Sequence, residues 1–178
     1  MKSRNAFYPL GLALFMAFSA SGFTPGLARS EQEVFLSPES LVRGLYAAVS
    51  MEPGKPADWN YVRKFFLPEA VFGVRKTRIS MEVLNLDGFI QWFEDDVKKF
   101  KMDEKGFEEI VEKLKMTVFG DTAQCFVVYR ARLKSPPGAQ GQIGLDSWAL
   151  MKKEGRWWVV SVTNEIVAPQ RALPEELK

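Results

Sequence analysis

Apolar positions recur at helical spacing in the first half of the chain and at strand spacing in the second. Ser37-Pro38-Glu39-Ser40 opens the first patterned stretch, and a serine cap followed by proline in the first turn is a common helix start. Leu41, Val42, Leu45, Tyr46 and Val49 then fall on one face of a helix, which ends before the turn-rich MEPGKP. A second helix is expected from about Ala57, with Trp59, Val62, Phe65 and Phe66 inward and Pro68 as its stop. Glu69 to Ser80 reads as a strand. A third helix is expected from about Asp87 to Lys101. Its Phe89, Trp92, Phe93 and Val97 face the core, and Asp95, Asp96, Lys98 and Lys99 form a solvated face.

After residue 108 the period shortens to two. Ile110 to Phe119, Thr122 to Lys134, Gly144 to Lys153 and Arg156 to Glu165 read as strands. Gly120-Asp121, the loop SPPGAQG and Glu154-Gly155 separate them. Three N-terminal helices on a bent, mostly antiparallel sheet make an α+β domain. Residues 29–168 form this single domain, and 169–178 are expected as a loose C-terminal tail.

The last hairpin carries the strongest structural signal. Counting outward from Glu154-Gly155 pairs Lys152 with Trp157, Leu150 with Val159, Trp148 with Ser161 and Asp146 with Thr163. One face then holds Asp146, Trp148, Leu150, Trp157, Val159, Ser161 and Thr163. The other holds Ser147, Ala149, Met151, Trp158, Val160, Val162 and Asn164. Both faces are apolar in their middles, whereas a sheet wetted on one side alternates. Helices cover one face only, so a second copy is expected on the other. Phe126, Val128, Met151, Trp158, Val160 and Val162 would lie at that homodimer contact, unless the C-terminal tail or the leader-side extension covers the face within one chain. The inner face turns polar at one end, where Asp146, Ser161 and Thr163 stand beside Trp148, with Tyr129 joining from the preceding strand. An apolar enclosure with a few polar groups describes a small-molecule pocket. Trp59, Trp92, Trp148, Ser161 and Thr163 are its expected ligand-binding residues.

The N-terminus changes the charge balance. Lys2 and Arg4 precede an apolar run from Ala6 to Ala20, and small residues follow at Ser19-Ala20-Ser21 and Gly26-Leu27-Ala28. That is the layout of a cleaved signal peptide spanning residues 1–28, cut after Ser21 or Ala28. The run is short for a membrane span, which needs ~20 residues. The expected location is therefore outside the cytoplasm, periplasmic or secreted, with no membrane attachment after cleavage. The alternative is a tethered envelope or secretion component that keeps the leader as its anchor. The full chain has 24 basic and 22 acidic residues. Loss of Lys2 and Arg4 equalises the two signs, so nothing electrostatic favours nucleic acid.

The chain has no histidine and one cysteine. A zinc site or a Ser-His-Asp triad cannot be assembled from it, an internal disulfide is impossible, and no metal or cofactor is expected. Cys125, within the apolar QCFVVY, reads as a small buried side chain.

Four motifs carry a family likeness: Gly106-Phe107-Glu108-Glu109 before the sheet, the turn Gly120 to Ala123, Tyr129 to Arg132, and the hairpin Gly155 to Trp158. Over about residues 37–166 the sequence resembles the nuclear-transport-factor-2-like superfamily, which includes ketosteroid isomerase and polyketide-cyclase relatives. The resemblance implies a cone-shaped domain whose bent sheet wraps a long helix and often dimerises through the sheet. It does not imply an activity, because this fold hosts enzymes, transport factors and assembly modules alike. Members that use a His–Asp pair have no counterpart here. The isomerase-type site, a base with hydrogen-bond donors in an apolar cavity, has Asp146 and Tyr129 as its only candidate imitators. Similar members often end the last strand with an aromatic residue, where this chain has Asn164-Glu165.

Two functional readings stay open beside the tethered one. The first is an exported, non-catalytic domain that binds a small apolar or amphipathic molecule or serves as a dimeric assembly module. The second is an acid–base enzyme of the isomerase, dehydratase or cyclase type, with Asp146 as base and Tyr129 as donor to a developing oxyanion.

Overall fold

The computed structural model describes residues 32–138 and 141–178; the expected signal peptide lies outside them. Helix α1 spans Pro38–Val49, α2 Trp59–Arg63, α3 Leu86–Phe100 and α4 Met102–Lys105. The strands are β1 Phe66–Arg75, β2 Met81–Asn85, β3 Phe107–Phe119, β4 Thr122–Leu133, β5 Gln142–Lys153 and β6 Arg156–Ile166. They form one six-stranded sheet in the order β2-β1-β6-β5-β4-β3. Only β1 and β6 pair in parallel. The class is α+β with a mixed sheet.

Helix α1 forms as its pattern requires. Ser37 Oγ accepts from Ser40 N at 3.1 Å, Ser40 Oγ accepts from Ser37 N at 3.3 Å, and Pro38 occupies the first turn. All five stripe residues are buried, and they pack on the inner face of the meander. Helix α3 also lies within a residue of its expected bounds. It is capped by Asn85, whose Oδ1 accepts from Gly88 N at 2.9 Å, and it ends at Lys101 in a left-handed conformation, φ 55°.

Four helices stand in the described residues where three were expected, and α3 and α4 follow β1 and β2 instead of preceding the sheet. The second expected helix is the main error. Helix α2 is five residues long, and Phe66 already opens β1. Pro68 therefore stops no helix. It lies in the irregular stretch of β1 between Phe66, opposite Val159, and Val71, opposite Ser161. A proline is tolerated where ladder hydrogen bonds are already interrupted. Phe65 and Phe66 are fully buried as expected, but a turn and a strand place them there. The single strand expected over Glu69 to Ser80 is the first arm of a hairpin whose second arm, β2, had no clear signal.

Strands β3 to β6 form the expected antiparallel meander. Glu154 and Gly155 have φ of 55° and 80°, the pair of positive values a type I′ hairpin needs. The ladder matches the count through Leu150 opposite Val159. Val160 then bulges out, and Ala149 pairs with Ser161, Trp148 with Val162 and Asp146 with Asn164. A one-residue slip exchanges the faces of everything beyond it. Ser161 and Thr163 consequently lie outward, and Val162 and Asn164 turn inward.

The tail is not loose. A 3-10 turn at Glu175–Leu177 lies over the outer face of the sheet, and Leu177 is buried there against a shallow cleft lined by Thr117, Gln124, Phe126 and Leu145. Lys113 Nζ donates to the Lys178 carbonyl at 2.6 Å. On that face Phe126 stays exposed, Val128 is buried within the single chain, and Met151, Trp158 and Val160 are half-buried. Trp158 is covered by the Arg156 guanidinium, 3.8 Å from its ring centre. Its neighbour Trp157 points into the core.

Candidate functional site

The concave side of the sheet, α1 and α3 enclose a cavity of about 900 Å³. Its wall is aromatic: Phe66, Phe72, Phe89, Phe93 and Phe107 contribute, and Phe72 and Phe89 stack at 4.2 Å. The polar end is built by five elements. Strand β5 supplies Asp146, β6 Asn164, β4 Tyr129 and α1 Tyr46, while Glu109 comes from β3.

Asp146 is buried and both its oxygens are occupied. Tyr46 Oη donates to Oδ2 at 2.6 Å and Asn164 Nδ2 donates to Oδ1 at 2.8 Å. Asn164 Nδ2 also donates to Tyr129 Oη at 2.7 Å. An amide nitrogen has two hydrogens and a phenol one, so Asn164 and Tyr46 have spent theirs. The Tyr129 hydroxyl hydrogen has no acceptor among the described residues. Glu109 is held by its backbone, whose N–H donates to Ser50 Oγ at 3.0 Å. Its carboxyl makes no hydrogen bond or ion pair among the described residues, and the surface it keeps opens to the cavity.

The electrostatics follow from this arrangement. Burial pushes Asp146 up to about 6, against hydrogen bonds from Tyr46 and Asn164 that favour its anion. The Trp148 indole also pulls it down, although its N–H lies buried without hydrogen-bond geometry to any group among the described residues. Burial, with the Asp146 charge second, pushes Glu109 up to about 8. Tyr46 and Tyr129 are raised well above the usual phenol range, chiefly by burial and then by Asp146. At neutral pH the pocket thus holds a carboxylate at Asp146, a carboxylic acid at Glu109 and two neutral phenols. Cys125 is buried beneath, pushed up to about 12 by burial, and stays a thiol.

Asp146, Tyr129, Trp92 and Trp148, all expected from sequence, reach this cavity. Asp146 and Tyr129 meet through Asn164. Trp59 sits behind the wall, its ring 5.3 Å from that of Phe93. Ser161 and Thr163 are absent from the lining, because the Val160 bulge turns them out. Val162, expected at a dimer contact, lines the cavity instead. Sequence reasoning missed Tyr46, Asn164 and Glu109. Glu109 had a signal, since it alternates with Phe107 and Val111 on the inner side of β3. Tyr46 was visible only as one of an apolar stripe. Nothing local marked Asn164.

Gly144 is needed for this geometry. It lies directly across the ladder from Tyr129, and a side chain there would overlap the Tyr129 ring. Among the described residues no group of His, Cys, Asp or Glu is placed to hold a metal, and no helix is long and apolar enough to cross a membrane.

No protein-family model and no curated protein matches the sequence. Solved structures do match. An NTF2-like protein with a cystatin-like fold from Novosphingobium aromaticivorans superposes with a TM-score of 0.59 at 14% identity, covering 85% of this chain and 96% of that one. The chain has the NTF2-like fold. An NTF2-like protein of unknown function from Pseudomonas putida gives 0.57 at 13% identity over 85% of this chain and 97% of its own. Another from Silicibacter pomeroyi gives 0.51 at 20% identity over 78% and 98%. At these identities the likeness concerns the fold alone, and the NTF2-like fold supports many chemistries.

Proposed function

We propose that this NTF2-like domain binds a small, largely apolar molecule in its cavity, with Tyr129 and Glu109 meeting the molecule's polar group. One observation carries the reading: at the polar end of an aromatic-walled cavity, a phenol hydroxyl and a carboxyl face open space, the one without an acceptor and the other without a donor among the described residues. Buried polar groups ordinarily find partners, and a ligand oxygen completes both. Cone-like closure of the sheet around α1 and α3 would serve the same purpose by excluding water. Trp92 and Trp148 line the cavity, so titration with apolar ketones followed by tryptophan fluorescence tests the reading. Saturable change with one site per chain is expected; a flat response to each of them up to their solubility limits counts against it.

A second reading is acid–base catalysis. Asp146, at about 6, is in range to accept a proton from carbon beside a carbonyl. Tyr129 would donate its hydrogen bond to the resulting enolate oxygen, and Asp146 would return the proton to the same or a conjugated carbon. Deuterium exchange into a bound ketone, lost in Asp146→Asn, distinguishes catalysis from binding alone.

Export with cleavage after Ser21 or Ala28, to the periplasm or the medium, belongs to the same proposal, as does a homodimer through the outer sheet face. The residues available for that contact are Phe126, Met151, Trp158 and Val160. N-terminal sequencing of the exported protein separates the cleaved form from the tethered alternative, and sedimentation equilibrium at micromolar concentration gives the subunit number.

A further inference from the structure

We propose that the molecule the cavity takes is an amphipathic acid, oriented with a neutral polar group at Tyr129 and Glu109, its apolar body along the phenylalanine wall and its anionic head between Arg75, Arg78 and Arg171; this rests on the binding function proposed above. The three arginines come from different places. Arg75 ends β1, Arg78 lies in the turn that follows, and Arg171 comes from the C-terminal tail. All three line the cavity.

Their partners do not neutralise them. Glu165 is the carboxylate that Arg75 and Arg171 share: Arg75 Nε donates to Oε1 at 2.9 Å, Arg75 Nη2 pairs with Oε2, and Arg171 Nε lies 3.1 Å from Oε1. Arg171 Nη1 donates to the Arg78 carbonyl at 3.2 Å, which ties tail and turn together. The Arg78 guanidinium has no ion-pair partner among the described residues and is exposed. Two cations thus share one carboxylate on this side of the opening, and the third has none among the described residues. The opposite side, on α3, carries Asp95 and Asp96, offset by Lys99 and by Lys76, whose Nζ lies 5.6 Å from the Trp92 ring centre, so the unshared positive charge is on the arginine side.

The interior sets the orientation. Asp146 is a buried anion at the deep end, and a second anion driven toward it would meet uncompensated repulsion in a low-dielectric cavity. A head carrying carboxylate or sulfonate is therefore excluded from the depth and attracted at the rim. Arginine is suited to that role because its planar donor fork meets such oxygens in pairs. Between the two ends the phenylalanine wall offers no polar partner, which selects an apolar body.

Two fluorescent probes of nearly the same shape test the assignment, anilinonaphthalene sulfonate and the uncharged N-phenylnaphthylamine. Titrations use the folded chain without its leader, at low salt. The sulfonate is expected to bind about tenfold more tightly, a gap that closes as salt rises. Arg78→Ala and Arg171→Ala should each weaken the sulfonate several-fold and leave the uncharged probe unchanged, and Arg171→Lys should restore part of the loss. Arg78 is exposed, so its variant separates recognition from folding. Equal binding of both probes, or variants that move both equally, overturns the head-group assignment while the cavity reading stands. Failure of both probes to bind overturns the two together.

Discussion

Asn164 donates to Asp146 across the β5–β6 ladder at 2.8 Å, and a bulge at Val160 is what sets the two opposite each other. Without the extra residue, Asn164 would face outward and Thr163 would stand in its place. A hydroxyl brings one hydrogen where the amide brings two, so the link to Tyr129 depends on the amide.

Asn164→Leu leaves Asp146 Oδ1 and Tyr129 Oη without their shared donor. Urea unfolding should show a loss of ~1–3 kcal/mol, the range for orphaning a buried polar group. Because the amide favours the Asp146 anion, the Asp146 carboxyl should also titrate higher, which carbon-13 NMR of the carboxyl reads directly.

Glu109 and Asp146 both stand above their ordinary carboxylate values, at about 8 and about 6. For a carboxyl raised in the native state, the unfolded chain ionises first. The stability contributed by the neutral forms is complete below pH 4 and is lost as pH climbs through these values. Glu109→Gln keeps the shape without the ionisation. Its unfolding free energy should match the parent near pH 4 and exceed it at pH 9, by on the order of 5 kcal/mol at about 1.4 kcal/mol for each pH unit by which the carboxyl is raised. A parent and variant that run parallel across this range would show Glu109 to be solvated.

Gly144→Ala places a methyl group where the Tyr129 ring lies. The ring must tilt away, breaking the 2.7 Å bond from Asn164. Overpacking of this kind costs ~1–3 kcal/mol. Ligand binding should fall more than in Tyr129→Phe, which keeps the ring in place and removes only the hydroxyl. Thermal melts and probe titrations on the two variants give the comparison.

Leu177→Ala removes the tail's buried contact with the outer face. A loss of ~2 kcal/mol is expected for a leucine truncated in a partly collapsible site. Amide hydrogen exchange should rise across residues 168–178 and along the outer side of β4, with the cavity residues unaffected.

Much of the architecture was legible before any coordinates. The helical stripe of α1, the bounds of α3 and the four-stranded meander follow from local periodicity, because burial on one face imposes a repeat that neighbours in sequence must obey. The type I′ turn at Glu154-Gly155 is equally local. Asp146 and Tyr129 were readable as inward and polar for the same reason. The failures share a cause too. Whether Phe65 and Phe66 are buried by helix or by strand depends on Val159, which pairs with β1 from the far end of the chain. Pro68 reads as a helix stop in isolation and sits in an interrupted ladder in the fold.

The site itself was decided by tertiary structure. Tyr46 and Asp146 are 100 residues apart in the chain and 2.6 Å apart in space, and no periodicity connects them. The Val160 bulge exchanges the faces of the second half of β6, so that Asn164 enters and Ser161 and Thr163 leave. A bulge answers to how two strands twist around a packed core, and that is a property of the whole sheet. Sequence alone therefore determined helices α1 and α3, the four-stranded meander and the oily interior of the final hairpin. Packing chose which polar groups would meet inside it.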